Sequence, residues 1–365
     1  MTDRDVMAQC LALAALGEGT ARPNPLVGCI VVSQGRIVGS GFHRAAGERH
    51  AECVALAEAG TRASGATLYV NLEPCAHQGR TAPCSEAIQR AGVRRVVAAI
   101  GDPNPLVDGR GFAALKGAGI DLEQGLLATE ARSLNAPFLS THERGRPWVT
   151  LKAAQSLDGR ISAAKGSSTW VTGVASRRYA HRLRYLHDAV IVGAGTIRTD
   201  DPQLTVRLPG IEGNRLRVVL APLLDLDPAA KVFVRETAGP ATRVYVSRGC
   251  PEATIARFSG VAEIVRVPSG SEGLDLGAVL ADLHRIDVQS VLVEGGGKTS
   301  GAFLRSGLAD ELTLFIAGRL FGAGGATPLI DAAAAAAPGD AWRVAAPVCV
   351  PIGGDLLLTG RLRRP

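Results

Sequence analysis

The sequence predicts an α/β protein of two domains. Its 365 residues exceed the usual size of one domain, and length alone suggests about two. Apolar strand-like runs alternate with helical segments in both halves, an order typical of layered, mostly parallel α/β domains. Residues 135–147 are polar and rich in turn formers. We therefore place the boundary near residue 145 and expect domains at 1–145 and 146–365.

In the first half, helical and strand-like segments alternate. Residues 3–16 carry apolar side chains at helical spacing, and Asp3 and Asp5 suit the positive end of that helix. Gln34 and Gly35 separate two apolar runs, as in a hairpin. The other predicted elements are helices at 48–59 and 83–91, strands at 27–33, 37–41, 67–72 and 95–100, and closing segments at 109–119 and 125–131.

The second half repeats this alternation with different segments. We predict strands at 148–154, 189–192, 216–220, 243–246, 264–267 and 288–293, and helices at 172–187 and 276–285. The glycine-rich run that follows Glu294 leads toward another helix N-terminus, where backbone N–H groups can approach a phosphate. Neither a P-loop nor a Rossmann fingerprint is present, because Leu292 and Arg198 occupy positions where these motifs need glycine.

Composition narrows the class of protein. Hydrophobic residues make up 46% and charged residues 20%, which are ordinary globular values. No apolar run reaches the roughly 18 residues of a membrane span. Asp3, Arg4 and Asp5 stand where a secretory signal needs an apolar core. The sequence therefore predicts a soluble, cytoplasmic protein with no membrane partner.

Charge and cysteine usage narrow it further. The seven cysteines are scattered and odd in number, which disfavours a disulfide framework. The net charge of +6 would suit an anionic partner, yet there is no Lys/Arg-rich block and only 4% of residues are aromatic. We expect a phosphorylated small molecule as the partner and no nucleic acid.

Three residues with zinc-binding side chains gather in the first half. His50 lies in a predicted helix, Cys75 follows a predicted strand, and Cys84 lies in the first turn of another predicted helix, where the helix dipole favours a thiolate. Three protein ligands leave one position for water, as in a catalytic site. On a helix Glu52 would point about 200° away from His50, which suits a proton shuttle better than a ligand.

Other interpretations of these residues stay open. A structural zinc site would need a fourth protein ligand, and His77 is the available one. Cys53 lies on the predicted helix of His50 and is expected to be a packed core residue.

The motifs of the first half resemble a known family. They are similar to the deaminase domain of the bifunctional deaminase/reductases of riboflavin biosynthesis, with one departure, Ala82 in place of the usual proline. The resemblance implies a cytidine-deaminase-like three-layer fold, a zinc ion bound by His50, Cys75 and Cys84, and Glu52 as the catalytic proton shuttle. The segments that carry it are residues 23–28 (PNPLVG), 41–43 (GFH), 50–52 (HAE) and 74–84 (PCAHQGRTAPC).

Substrate contacts are expected in two loops. The string PNPLV occurs at 23–27 and again at 103–107, which proline-flanked turns alone could explain. The resemblance favours Asn24 as a ligand to the pyrimidine or ribose. Asp102 and Asn104, which follow a predicted strand, are weaker candidates for substrate contact. Arg80 could bind the substrate phosphate or be a solvated loop residue.

The second half resembles the reductase domain of the same family. Residues 149–159, 192–207 and 294–296 carry the resemblance, which implies a fold similar to dihydrofolate reductase and NADPH as cofactor. By position, the implied NADPH contacts are Ala154, Trp170, Thr196, Asp200, Gly296, Gly297, Lys298, Thr299 and Ser300. The implied substrate contacts are Ser168, Arg184, Leu204, Arg207 and Glu294.

Several of these residues have a second interpretation. Trp170 and Leu204 could be core residues. Arg184 and Arg207 suit a phosphate dianion, and surface salt bridges are their alternative. Lys152, Asp200 or Glu294 could supply the proton in the reduction.

Together, the two resemblances imply a two-step enzyme. Zinc-dependent deamination of a phosphorylated ribosylaminopyrimidine would precede NADPH-dependent reduction of its ribosyl chain. We also expect a homo-oligomer. A nucleic-acid deaminase with a C-terminal binding module and a zinc-stabilised interaction protein are the alternatives.

Overall fold

The chain folds into two compact units. A computed structural model describes residues 1–77, 83–162, 170–211, 215–234, 242–270, 273–322, 328–331 and 335–364. The units are Met1–Gly145 and Arg146–Pro365.

The first unit is a three-layer α/β domain. Its five-stranded sheet has the order β2-β1-β3-β4-β5, in which β1 runs antiparallel to β2 and β3, whereas β3, β4 and β5 are parallel. Its elements are α1 Asp3–Ala15, β1 Gly28–Ser33, β2 Arg36–Phe42, α2 Ala51–Ala59, β3 Thr67–Val70, α3 Cys84–Arg90, β4 Arg95–Ala98, α4 Arg110–Gly117, β5 Asp121–Gln124, α5 Ala128–Leu134 and α6 Ala136–Arg144.

Both faces of this sheet are buried. Along β1, Cys29 and Val31 join the core cluster that contains α2, whereas Ile30 joins the cluster that contains α1. Gly28 lets α1 approach the sheet closely, because a Cβ there would lie 2.1 Å from the Cys10 carbonyl oxygen. These contacts hold α1 and α2 against opposite faces of the sheet.

One sequence expectation is wrong in this unit. The turn formers at 135–147 predict irregular structure near the domain boundary, but most of this stretch forms α6. Pro137 lies in the first turn of the helix, where a missing N–H group costs nothing, and Gly145 ends it in the left-handed conformation. A polar, proline-containing composition therefore concealed a short surface helix.

The second unit is built on a nine-stranded sheet. Its order is β10-β9-β8-β7-β13-β6-β14-β16-β15, in which β16 runs antiparallel to β14 and β15 and all the other neighbouring strands are parallel. The elements are β6 Trp148–Ser156, α7 Val174–Leu186, β7 Ala189–Gly193, α8 Ala194–Asp200, β8 Leu216–Leu220, β9 Thr242–Ser247, α9 Glu252–Ala256, β10 Ala262–Val267, β11 Ser269–Gly270, β12 Gly273–Leu274, α10 Leu276–Arg285, β13 Ser290–Val293, α11 Gly297–Arg305, β14 Glu311–Ala317, β15 Arg343–Ile352 and β16 Asp355–Arg363.

The α/β prediction is confirmed for both halves, although the sequence did not reveal β14, β15 or β16. The position of β13 matters most for function. It lies between β7 and β6 and is parallel to both, so the carboxyl ends of these three strands meet at one edge of the sheet. In the described part of the chain, no helix combines the length and apolar content needed to cross a bilayer.

Candidate active sites

Three zinc-binding side chains meet in the first unit. One ligand atom each from His50, Cys75 and Cys84 lies within 4.8 Å of the others. The Nδ1 atom of His50 is 3.2 Å from the Cys84 Sγ atom and 3.6 Å from the Cys75 Sγ atom. Local structure sets this geometry, since His50 caps α2, Cys75 follows β3 and Cys84 begins α3.

These donors fit a zinc ion. The backbone N–H of Cys84 donates to the Cys75 sulfur at 3.4 Å. Hydrogen bonds from the Cys84 thiol and the His50 imidazole lower the pKa of Cys75, which favours the thiolate that zinc requires. Among the described residues, His77 does not join the group, so the four-ligand alternative gains no support. Two sulfurs and one imidazole nitrogen match an open catalytic zinc site.

Glu52 is the acidic residue of this centre. It lies in the first turn of α2 and is only 3% exposed. Burial raises the pKa of its carboxyl to about 7, near the value that suits a group that both takes and returns a proton. The expected reason for its separation from the metal was wrong: His50 is an extended N-cap residue, not a helical one. The backbone is extended at His50 and helical at Glu52, and this change, not helical spacing, sets the directions of the two side chains.

A third thiol lies beside the cluster. Cys53 was expected to be a packed core residue, but its side chain is only half buried and is hydrogen-bonded to the Cys84 thiol. The sequence does not reveal this contact, because helical periodicity does not show which face of α2 packs against α3.

In the first PNPLV loop, Asn24 is hydrogen-bonded to His43. The Nδ2 atom of Asn24 is 2.9 Å from the Nε2 atom of His43, and the Nδ1 atom of His43 is 3.2 Å from the carbonyl oxygen of Arg49. The His43 ring lies edge-on to the His50 ring, with centroids 5.5 Å apart. Asn24 is therefore linked to the metal centre through one imidazole.

The second PNPLV loop is built differently. Asn104 accepts a hydrogen bond from the Leu106 backbone at 3.0 Å, and Asp102 accepts one from the Asn104 backbone at 2.8 Å. Burial raises the pKa of Asp102 to about 6, with smaller contributions from the neighbouring Glu73 and Cys75. The same five-residue sequence therefore forms different hydrogen bonds in the two loops. Arg80 lies outside the described residues.

In the second unit, a buried ionic network lies at the shared strand edge. Glu294, just after β13, receives two hydrogen bonds from Arg184 of α7, at 2.7 and 2.9 Å. Lys152 of β6 places its Nζ atom 3.6 Å from the same carboxylate. Burial alone would raise the pKa of Glu294, but Arg184 and Lys152 lower it to about 2. Glu294 is therefore ionised, and Arg184 is bound within the protein, not in a surface salt bridge.

The glycine-rich run ends in a helix, as expected. Gly296 caps α11, which begins at Gly297 and carries Lys298, Thr299 and Ser300 in its first turn. A Cβ at Gly295 would lie 2.4 Å from that of Thr299, so this glycine is needed for packing as well as for backbone exposure. First-turn N–H groups of a helix lack partners within the helix, so this end of α11 suits a phosphate.

The other predicted NADPH contacts are spread around this edge. Trp170 is 69% exposed, which excludes a core role, and the Arg177 guanidinium lies 5.0 Å from its ring centre. Thr196 is half buried in α8, and Asp200 is exposed at the end of that helix. Ala154 is half buried in β6, paired with Phe315 of β14.

The predicted substrate contacts differ in accessibility. Arg207 is exposed, and its Nη1 atom donates to Gln203 and Thr205 at 3.1 and 3.0 Å. Leu204 is only 3% exposed and packs in a core cluster with a positive φ of 56°, as the core alternative predicts, and its substrate contact stays a prediction. Ser168 lies outside the described residues.

Comparisons with known proteins cover both units. Residues 1–100 match the cytidine and deoxycytidylate deaminase zinc-binding region, and residues 147–345 match the RibD C-terminal domain. The chain is 42% identical over 322 residues to riboflavin biosynthesis protein RibD of Aquifex aeolicus, covering 88% of each chain. It is 41% identical over 331 residues to the Escherichia coli RibD protein, covering 88% of this chain and 89% of that protein.

The chain belongs to the RibD family.

Solved RibD structures share its fold along the whole chain. RibD of Acinetobacter baumannii aligns over 99% of both chains with a TM-score of 0.86 and 36% identity. The Thermotoga maritima diaminohydroxyphosphoribosylaminopyrimidine deaminase/5-amino-6-(5-phosphoribosylamino)uracil reductase aligns over 99% of this chain and 98% of that chain, with a TM-score of 0.83 and 33% identity. The predicted family and fold class are confirmed.

RibD membership establishes the general activity. The chain is a bifunctional deaminase and reductase of riboflavin biosynthesis, and its cofactors are zinc and NADPH. The roles of individual side chains stay predictions. Three residues that the sequence did not mark as functional also lie at the sites. His43 contacts Asn24, Cys53, which we expected only in the core, contacts Cys84, and Glu73 is bonded to the second PNPLV loop. For Glu73 the only available signal was its place directly before the Pro-Cys pair.

Proposed function

We propose that Met1–Gly145 is the deaminase domain and Arg146–Pro365 the reductase domain. The first would deaminate 2,5-diamino-6-ribosylamino-4(3H)-pyrimidinone 5′-phosphate with release of ammonia. The second would reduce the ribosyl chain of that product to give 5-amino-6-ribitylaminouracil 5′-phosphate. The two activities named for the Thermotoga maritima relative support this order of reactions.

Deamination uses His50, Cys75 and Cys84 to hold zinc. When bound, zinc acts as a Lewis acid that makes water acidic enough to ionise near neutral pH. Glu52 takes a proton from the attacking water and returns it to the departing ammonia, a double role for which its raised pKa is suited. Its burial keeps this proton from exchanging freely with solvent.

Substrate binding in the first unit uses the two PNPLV loops and Arg80. Asn24 can offer an amide to the pyrimidine or ribose while it remains linked to His43. Asp102 and Asn104 lie in a loop stabilised by its own side chains, and Cys75 is close enough to affect the pKa of Asp102. Arg80 suits the phosphate because a guanidinium binds two of its oxygens.

Reduction uses the edge where β6, β7 and β13 end. NADPH, when bound, supplies the hydride for C1′ of the ribosylamino group. Its phosphates would lie against Gly296–Ser300 at α11, with Ala154, Trp170, Thr196 and Asp200 as further contacts. Arg207, exposed beside the site, is available for the substrate phosphate, with Ser168 as a further contact.

Lys152 is the proton donor that the network favours. Glu294 is held as a carboxylate by Arg184 and has no proton to give. The ammonium group of Lys152 lies 3.6 Å from that carboxylate and can protonate the ribose oxygen as the ring opens. Glu294 and Arg184 then orient this ammonium group instead of binding phosphate themselves.

We further propose that the protein is a homo-oligomer and that it is located in the cytoplasm. β15 is the last strand in its sheet order, and Val348 and Val350 on it are 57% and 42% exposed, so β15 suits pairing in a homo-oligomer. The zinc-binding cysteines are free thiols, which is the form maintained in a reducing cytoplasm.

The proposal depends on one observation: the side chains of His50, Cys75 and Cys84 lie together, and Glu52, two positions after His50, is buried. The test follows ammonia release and NADPH consumption with the diaminopyrimidine ribosylamine phosphate. We expect ammonia without NADPH, and NADPH oxidation only after deamination. Glu52→Gln should retain zinc and reduce the deaminated intermediate but release no ammonia. Loss of both activities in that folded, zinc-loaded variant would contradict the two-site arrangement.

A further inference from the structure

Glu73 connects the metal-ligand segment to the second PNPLV loop. Its side chain is buried, with 4% of the residue exposed, two positions before Cys75. One carboxylate oxygen accepts the backbone N–H groups of Asp102 and Gly109, each at 3.2 Å. The other accepts the backbone N–H of Phe112 at 3.1 Å. A single carboxylate thus fixes both ends of the loop and the first turn of α4.

Glu73 replaces a capping residue that α4 lacks. The N-cap position of α4 is Gly109, which has no side chain to accept a hydrogen bond. The Glu73 carboxylate supplies both an acceptor and a negative charge at this positive helix end. Gly111 brings the helix against the metal-ligand segment, because a Cβ there would lie 1.9 Å from the Pro74 carbonyl oxygen. The loop and the Cys75 segment are therefore held in one fixed arrangement.

Within this loop, Asp102 is bonded through its backbone to Glu73, two positions before Cys75. Its carboxyl lies close enough to Cys75 and His77 for both to affect its pKa electrostatically. Its backbone N–H is held by Glu73, and its side chain holds the Asn104 backbone. A displaced Glu73 carboxylate would release Asp102 and Asn104 together, while His50, Cys84 and Glu52 keep their positions in α2 and α3.

We propose that Glu73 is a positioning residue for deamination, which holds the 101–109 loop so that Asp102 and Asn104 can bind the substrate beside the metal. This inference rests on the proposed deaminase function. It concerns substrate binding and not zinc binding or proton transfer.

The test is Glu73→Gln in the full-length, zinc-loaded chain. A glutamine has one acceptor oxygen, so its NH₂ group must face at least one of the three N–H donors. We expect KM for the diaminopyrimidine ribosylamine phosphate to rise roughly tenfold, as for a lost buried hydrogen bond, with kcat changed by less than about twofold. Zinc content and reductase activity should stay unchanged. Glu86→Gln, at an exposed glutamate of α3, is the matched control.

Two further measurements separate positioning from simple stability. Amide hydrogen exchange should show faster exchange at Asp102, Gly109 and Phe112 in the Gln variant. Glu73→Asp keeps both acceptor oxygens on a shorter side chain, so its KM should lie between those of Gln and wild type, and it serves as the test if the Gln variant does not fold. Faster exchange with an unchanged KM would show a structural role only and overturn the proposal. A wild-type chain that releases no ammonia would instead remove the proposed function.

Discussion

Replacement of Arg184 by leucine tests the ionic network of the second unit. Arg184 and Glu294 are 14% and 7% exposed and share two hydrogen bonds, so Arg184→Leu leaves a buried carboxylate with Lys152 and His181 as its remaining neighbours. A pKa lowered from the ordinary 4.5 to about 2 corresponds to about 3 kcal/mol of folding free energy. Loss of one partner of a buried pair costs about 3–5 kcal/mol in other proteins. We therefore expect a loss of about 3 kcal/mol.

Tryptophan fluorescence offers a selective assay. The three tryptophans, Trp148, Trp170 and Trp342, all lie in the second unit, so their emission reports its unfolding. With a urea m-value of about 2 kcal/mol/M, the midpoint should fall by about 1.5 M. The double variant Arg184→Leu/Glu294→Leu should recover part of the loss, because the buried carboxylate is removed together with Arg184, whereas Lys152 loses its ion-pair partner.

Two comparisons could refute this reasoning. Arg198→Leu, at the exposed Arg198–Asp225 pair, should cost less than about 1 kcal/mol. If Arg184→Leu costs no more folding free energy than Arg198→Leu, the Arg184–Glu294 pair does not stabilise the unit.

The pH dependence of stability is a second check. Because the folded pKa of Glu294 is depressed, its contribution is present above about pH 4.5 and disappears as the pH falls toward about 2. Arg184→Leu should lack this acid-dependent loss.

Three other substitutions have distinct expected outcomes. Cys84→Ala should abolish zinc binding, measured by metal analysis, and ammonia release, yet leave NADPH oxidation with the deaminated intermediate intact. Arg207→Ala should raise the reductase KM by roughly tenfold or more and spare ammonia release; an unchanged KM would exclude Arg207 from the site. Gly28→Ala should destabilise the first unit by about 3 kcal/mol, since α1 must move to admit the Cβ, and equal stability to wild type in urea would contradict that packing.

The metal ligands could be predicted because their chemistry is local. His50, Cys75 and Cys84 combine suitable donor atoms with the ends of predicted elements, and one short segment contains all three. Other contacts depend on residues far apart in the chain. The sequence predicts a phosphate contact for Arg184 but does not show that its guanidinium pairs with Glu294, 110 positions later. Glu73 carried no chemical motif, because its partners are backbone N–H groups about 30 to 40 residues later.

Local composition also misled in identifiable ways. Pro137 and Gly145 resemble turn residues, but they lie at the two ends of α6, where each is tolerated or favoured. The Cys53 contact with Cys84 required knowledge of how α2 and α3 pack. Arg80 and Ser168, for which we predict substrate contacts, lie outside the described residues.

The central position of β13 also sets an order for protein synthesis. The five strands of the first unit are complete once Gln124 has been made. In the second unit, β6 and β7 can be joined only through Ser290–Val293, which the ribosome makes about 100 residues after β7 ends. Because domains generally fold as units during synthesis, the deaminase unit can fold and bind zinc while the reductase unit still lacks its middle strand.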